Sequence, residues 1–241
     1  MPEMETVMSP ALFHLHTADL HRKNVVVIDI LRATSTICTA LHNGAVEIAT
    51  TATPAEALHF RSQGYLCAAE RDGQTVEGFE LGNSPQDYTT EKVRGKGIAL
   101  TTTNGTRCLR MARGAAHVFA GSFLNIDALA NFLIRDGKDV MLFCAGWKDR
   151  FNLEDTLFAG ALAAKLQGFE SHCDATLAAI TLWEKAEQHP ERFLAQASHA
   201  KRFQTLHRES DITVCMRMNS APVLPLMKDG VLRCMPAGAP G

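Results

Sequence analysis

Asp29 and Arg32 stand three residues apart at the end of an apolar run, Val25 to Ile28. Carboxylate oxygens are the natural ligands of hard cations, and a guanidinium offers a planar fork for oxyanions, so this pair suits a metal ion and an anion bound together. Three more places follow the same rule of polar chemistry just after an apolar run. Glu70, Arg71, Asp72 and Gly73 follow residues 65–69, with a charged turn as the purely structural alternative. Thr101 to Arg107 lies where the run 97–102 meets a helical pattern. The free first-turn N–H groups and the dipole of a helix favour negative charge there, so Thr102, Thr103, Asn104, Gly105, Thr106 and Arg107 read as a cradle for a phosphate-sized anion, or as an Asn-Gly turn with threonine capping. The segment from Cys144 ends in Asn152, a good cap, and Glu154 and Asp155, whose place in a first turn is favourable with or without a function. Gly78 to Pro85 is a loop dense in glycine, in which Asn83 and Ser84 can donate hydrogen bonds or cap a helix. If the strand ends converge, Glu154 and Asp155 meet Asp29 and Glu70 in an all-oxygen site that suits Mg²⁺ rather than zinc.

The elements that must position these groups are strands and helices in alternation. Strand-like runs recur at 25–30, 47–51, 65–69, 97–102, 117–120 and 140–145, and helical patterns at 35–43, 54–63, 106–112, 126–135 and 153–167. Thr34 is placed to cap the helix that Gly44 stops. The run Val25 to Ile28 lacks polar alternation, as expected of a strand buried on both faces. Such alternation predicts a three-layer α/β/α fold with a mainly parallel sheet, and ligands then bind at the carboxyl ends of the strands. Beyond Gly168 the rhythm changes to helical segments at about 175–189, 190–197 and 200–207, an insertion or lid spanning 175–208. A run at 211–218 and a hairpin of 223–227 with 231–234, turned at Asp229 and Gly230, close the domain, and 236–241 reads as a frayed tail. No linker divides the 241 residues, so one domain is expected.

The chain is 46% hydrophobic and 21% charged with a net charge of -2, which argues against nucleic acid as a partner. No apolar run approaches the roughly 20 residues of a membrane span, and the N-terminus lacks a basic leader, so a cytoplasmic protein without a membrane partner is expected; a homo-oligomer is left open. The seven cysteines are spread singly, with Cys67, Cys144 and Cys215 inside apolar strand-like runs, a pattern of buried hydrophobes rather than of disulfides or zinc. The ten histidines, His199 among them, and the basic residues Lys201, Arg202 and Arg208 read as packing or solvated helix faces. There is neither a G-x-x-x-x-G-K loop nor a G-x-G-x-x-G, so nothing points to a nucleotide.

The ordered motifs Val26 to Ser35, Glu70-Arg71, Gly78 to Pro85, Thr101 to Thr106, and Glu154-Asp155 with Ala159-Gly160 resemble the 2-phosphosulfolactate phosphatase family. The resemblance covers about residues 5–235 and is thinnest over 175–208, where specificity would be decided. It implies a Mg²⁺-dependent phosphatase that converts 2-phospho-3-sulfolactate, or a related small acidic phosphoester, to 3-sulfolactate and phosphate, a step of coenzyme M biosynthesis. So anionic a substrate needs several fixed cations. Arg32 and Arg71 are assigned to it, with Arg107 ranked behind them because helix geometry can turn that side chain outward. Asp29 is expected at the metal. It could instead attack phosphorus, but the aspartate phosphatases of the haloacid dehalogenase type use D-x-D-x-T, and Leu31 holds the place of their second acid, which favours an attacking water. The rival readings are a non-catalytic anion-binding or regulatory protein on the same scaffold, and a Mg²⁺-dependent lyase acting on a phosphorylated acid.

Overall fold

The computed structural model describes residues 1–205 and 208–235; the expected tail and the last two residues of the expected 200–207 helix lie outside them. In chain order the elements are β1 (Met4–Val7), β2 (Asn24–Ile28), α1 (Ala33–His42), β3 (Glu47–Thr50), α2 (Pro54–His59), β4 (Leu66–Arg71), β5 (Gln74–Thr75), α3 (Thr90–Val93), β6 (Gly97–Thr101) and α4 (Gly105–Met111). They continue with β7 (His117–Gly121), α5 (Ile126–Asp136), β8 (Val140–Cys144), α6 (Leu153–Lys165), α7 (Asp174–Ala186), α8 (Pro190–Leu194), α9 (Ser198–Thr205), α10 (Glu209–Cys215), β9 (Pro225–Lys228) and β10 (Val231–Cys234).

One sheet takes all ten strands in the order β1-β8-β2-β7-β9-β10-β3-β6-β4-β5. It has two parallel blocks, β1-β8-β2-β7 and β3-β6-β4, joined through the antiparallel β9–β10 hairpin. The hairpin expected at the C-terminus is therefore present and fills the middle of the sheet. β2 lies between β7 and β8, and Val25 to Ile28 are wholly buried, as two covered faces require. Val26, Ile28 and Leu142 pack with Leu129, Leu157 and Phe158 of α5 and α6. Val25, Val27, Ile98 and Leu100 face Ile37 and Leu109 of α1 and α4 on the other side. Helices on both faces make three layers.

The sheet curls around α1 and α4. β2 and β6 are five strand spacings apart, which a flat sheet would hold at about 24 Å. Yet a Cβ at Gly105, in the first turn after β6, would lie 2.7 Å from Asp29 Oδ2, just beyond β2. This curling brings the strand ends of the two blocks to one place. α6 is almost entirely buried, between the sheet and α7, and Gly160 lets the helices touch: a Cβ there would meet the Ala179 carbonyl at 2.0 Å.

One expectation about the elements is corrected, and one strand was not foreseen. The strand-like run holding Cys215 is helix α10, because it packs beside the short 3-10 turn Pro85–Asp87 and has no neighbouring strand to pair with. β1, too short and mixed to read as a strand, pairs in parallel with β8 at the sheet edge. Among the described residues no helix is long and apolar enough to cross a membrane.

Candidate active site

Where the strand ends meet, a pocket of about 490 Å³, counted to its open mouth, is lined by residues from both blocks and from α9. Asp29, Arg32, Glu70, Asn83, Thr102, Thr103 and Asn104, all singled out in the sequence, line it together with Asp72, Gly73, Trp147, Lys148, His199, Arg202 and Phe203. Gly105, Thr106, Ser84, Asp155, Arg71, Arg107 and Glu154 are not among the lining residues.

Asp29 sits one residue beyond β2, and its surroundings follow from that place. Its N–H donates to Thr34 Oγ1 at 3.0 Å, and that hydroxyl returns a bond to the Asp29 carbonyl at 2.9 Å. Thr34 thus closes the turn and is not a cap, since it lies inside α1, whose N-cap position is Arg32 with no side-chain bond. The capping is done by Asp29 itself, whose Oδ1 accepts from the Ala33 N–H at 3.3 Å. Burial raises the Asp29 carboxyl from 3.8 to about 6; Glu70 and Glu154 push it further up, and the Ala33 N–H and His199 oppose them.

Arg32 is only 4% exposed. Its Nη1 donates to Asp211 Oδ2 at 2.5 Å, its Nη2 to the Gly73 carbonyl at 2.8 Å, and its guanidinium carbon stands 5.2 Å from the centre of the Phe203 ring. Asp211 is wholly buried on α10 and also accepts from Ser84 Oγ at 2.6 Å and Gln86 Nε2 at 2.8 Å. Ser84 therefore serves the pocket through two intermediaries, Asp211 and Arg32. Glu70 accepts from the N–H of Gly73 and, more weakly, from the N–H and hydroxyl of Thr103. Thr102 and Thr106 bond to each other through backbone and hydroxyl groups, fixing the first turn of α4. Arg71 turns to the Glu70 carbonyl and Thr101, and Arg107 to Asp149 on the surface at 2.9 Å.

Of the two acids on α6, Asp155 is a structural tie. Its oxygens accept from the N–H groups of Ile30 at 2.9 Å and Gly146 at 3.0 Å and from Asn152 Nδ2 at 3.0 Å, joining the ends of β2 and β8. Burial, with Asp29 and Glu154 nearby, raises its pKa well above the ordinary value. Glu154 Oε1 pairs with His199 Nδ1 at 2.5 Å, while its Oε2 is buried without a partner among the described residues. His199 and Arg202 do not lie on a solvated face: α9 turns both toward the pocket. Arg202 and Lys148 stand 5.0 and 4.9 Å from the centre of the Trp147 ring. Neither composition nor spacing singles out these residues, because α9 reads as an ordinary polar helix and Lys148 as part of a charged loop.

The fit of a metal can be judged from these donors. No group of three or more His, Cys, Asp or Glu side chains stands at ligand spacing among the described residues, so the four expected carboxylates do not form a closed cage. What stands near the pocket is Asp29, with one oxygen on a weak N–H bond, and Glu154, with one oxygen unpartnered inside the protein. Two buried carboxylates in mutual repulsion suit a hard cation that takes its remaining ligands from water and a phosphate, as Mg²⁺ does.

Residues 10–230 match the model of the family described as 2-phosphosulpholactate phosphatase. The chain is 39% identical over 226 residues to a probable 2-phosphosulfolactate phosphatase of Caldanaerobacter subterraneus, covering 91% of this chain and 93% of that one. It is 40% identical over 228 residues to one of Thermotoga maritima (95% and 96%), and 41% identical over 217 residues to one of a Picosynechococcus species (86% and 90%), both bearing the same description.

Proposed function

The chain belongs to the 2-phosphosulfolactate phosphatase family, and on that premise we propose that it hydrolyses 2-phospho-3-sulfolactate, or a closely related small acidic phosphoester, to 3-sulfolactate and phosphate in the presence of Mg²⁺. One observation carries this reading beyond family membership: a single pocket gathers three cationic side chains, Arg32, Lys148 and Arg202, around the buried acid Asp29. A substrate with a phosphate, a carboxylate and a sulfonate can engage all three cations, while the acids Asp29 and Glu70 in the same lining are left to a divalent cation, and a neutral substrate would use neither set.

Asp29 and Glu154, with Glu70 nearby, would hold the metal. When bound, Mg²⁺ neutralises charge on the transferred phosphoryl group and the leaving oxygen. The remaining work falls to the chain. Arg32, held rigid by Asp211 and Gly73, binds and orients a phosphate oxyanion with a guanidinium already fixed in direction. Phe203 covers that guanidinium and keeps water from it, which strengthens its field. Asp29 orients the attacking water through the oxygen that Ala33 does not use and is placed to take its proton. The α4 N-terminus, locked by Thr102 and Thr106, adds its dipole near the same anion.

The test is phosphate release from 2-phospho-3-sulfolactate with and without Mg²⁺, with identification of the organic product. Release of phosphate and 3-sulfolactate that depends on Mg²⁺ is expected. Tight binding without turnover would favour an anion-binding protein, and a carbon skeleton other than 3-sulfolactate would favour a lyase.

A further inference from the structure

We infer that Lys148 and Arg202 form the subsite for the substrate's sulfonate, one of its two anions that are not transferred, and that Asp72 competes with the sulfonate for the same two cations. This rests on the functional reading above and adds to it a direction for the substrate and a source of selectivity.

The charges of the pocket are graded by depth. Asp29, Arg32 and Asn83 at its floor are 7%, 4% and 6% exposed, whereas the side chains of Arg202, Lys148 and Asp72 at its mouth are 24%, 58% and 83% exposed. The acid that orients the attacking water lies at the floor, so the phosphate must enter first and the far end of the substrate must remain at the mouth. Two cations are waiting there on one platform, since both stand about 5 Å from the centre of the Trp147 ring. Cations over an indole face keep a defined place while leaving their outer donors free.

The backbone is shaped to present them. Trp147 and Arg150 exchange N–H to carbonyl bonds at 2.9 and 3.0 Å across a tight turn whose central residues, Lys148 and Asp149, have φ of 52° and 59°. Two successive non-glycine residues at positive φ are uncommon and here set Lys148 at the rim while Asp149 leaves to pair with Arg107. Arg202 is supplied by α9.

Asp72 Oδ1 lies 4.0 Å from Lys148 Nζ and 3.9 Å from an Arg202 Nη. Both contacts are at the outer limit of an ion pair and exposed, so they contribute little and yield to another anion. Arg32 differs: its bond to Asp211 is short, buried and supported by two further donors, so it does not let go. A sulfonate carries one charge over three oxygens, enough to bridge two cations that a single carboxylate oxygen reaches only loosely.

The experiment compares kcat/KM for 2-phospho-3-sulfolactate with that for 2-phospholactate, which has hydrogen in place of the sulfonate, in the wild type, Lys148→Met, Arg202→Gln and Asp72→Asn. Both substrates are measured on one preparation, so the ratio does not depend on how much of a variant is folded. A wild-type preference of about a hundredfold is expected, falling about tenfold in each cation variant, chiefly through KM, and rising in Asp72→Asn. A preference that stays at the wild-type value in both cation variants, or a wild type that turns over both compounds equally well, would overturn the subsite and leave the phosphatase reading standing. Turnover of neither compound by the wild type would overturn both.

Discussion

Gly105→Ala adds one methyl group between the first turn of α4 and the working carboxylate, and its consequence can be worked out from distances. The new Cβ would stand 2.6 Å from Ala33 Cβ and 2.7 Å from Asp29 Oδ2, where about 3.5–4.0 Å is the unstrained separation of carbon atoms. Ala33 has no rotamer with which to withdraw, so either α4 moves outward by about 1 Å or the Asp29 carboxyl swings away and loses the Ala33 N–H. Overpacking of this kind costs about 1–3 kcal/mol, offset by about 1 kcal/mol of helix propensity, which leaves a net loss of about 0–2 kcal/mol. In a chain of this size that lowers the melting temperature by at most about 8 °C. Activity is more sensitive, because a displacement of about 1 Å at a reacting group can cost about a hundredfold in rate. Phosphate-release kinetics and a thermal melt on the same preparation measure both. A variant with wild-type kcat and a raised melting temperature would refute the claim that α4 packs against the catalytic acid.

Asp211→Ala leaves the Arg32 guanidinium buried without its counter-charge and is expected to lower stability to urea by about 3–5 kcal/mol; a loss below about 1 kcal/mol would contradict the ion pair. The Asp29 carboxyl, raised from 3.8 to about 6, favours the folded state fully below about 3.8 and loses that contribution as pH rises through about 6, an effect of about 3 kcal/mol. Metal-free Asp29→Asn is therefore expected to melt above the wild type at pH 7, with the gap closing toward pH 4, and a gap independent of pH would exclude the shift. Mg²⁺ at about a hundred times its Kd is expected to raise the wild-type melting temperature by about 5–10 °C and to do so far less in Asp29→Asn, whereas equal shifts in the two would place the ion elsewhere.

Much of this arrangement can be read from residues alone. Val25 to Ile28 and Val140 to Cys144 are so apolar that only a strand covered on both faces fits them, and the chemistry duly begins just beyond their ends. Strand periodicity also carried information that adjacency concealed. Glu70 and Arg71 are consecutive on β4, so their side chains leave on opposite faces, and only Glu70 lines the pocket. Other features depend on tertiary pairing. Ile212 to Cys215 is β-branched enough to suggest a strand, but no strand stands beside it, and as a helix it delivers Asp211 to Arg32. His199 and Arg202 lie on a helix whose polar face looks solvated until the chain path turns it over the pocket. Lys148 depends on a turn with positive φ at two residues, Lys148 and Asp149, that do not advertise it.

The central claim is that the pocket at Asp29 is where a phosphoester is hydrolysed. The most direct measurement is kcat for phosphate release from 2-phospho-3-sulfolactate by purified Asp29→Asn beside the wild type, both in Mg²⁺ and both shown to be folded by circular dichroism. A folded variant with turnover reduced at least about a thousandfold is the expected result; a folded variant that releases phosphate at the wild-type rate would remove Asp29, and the pocket built around it, from the reaction.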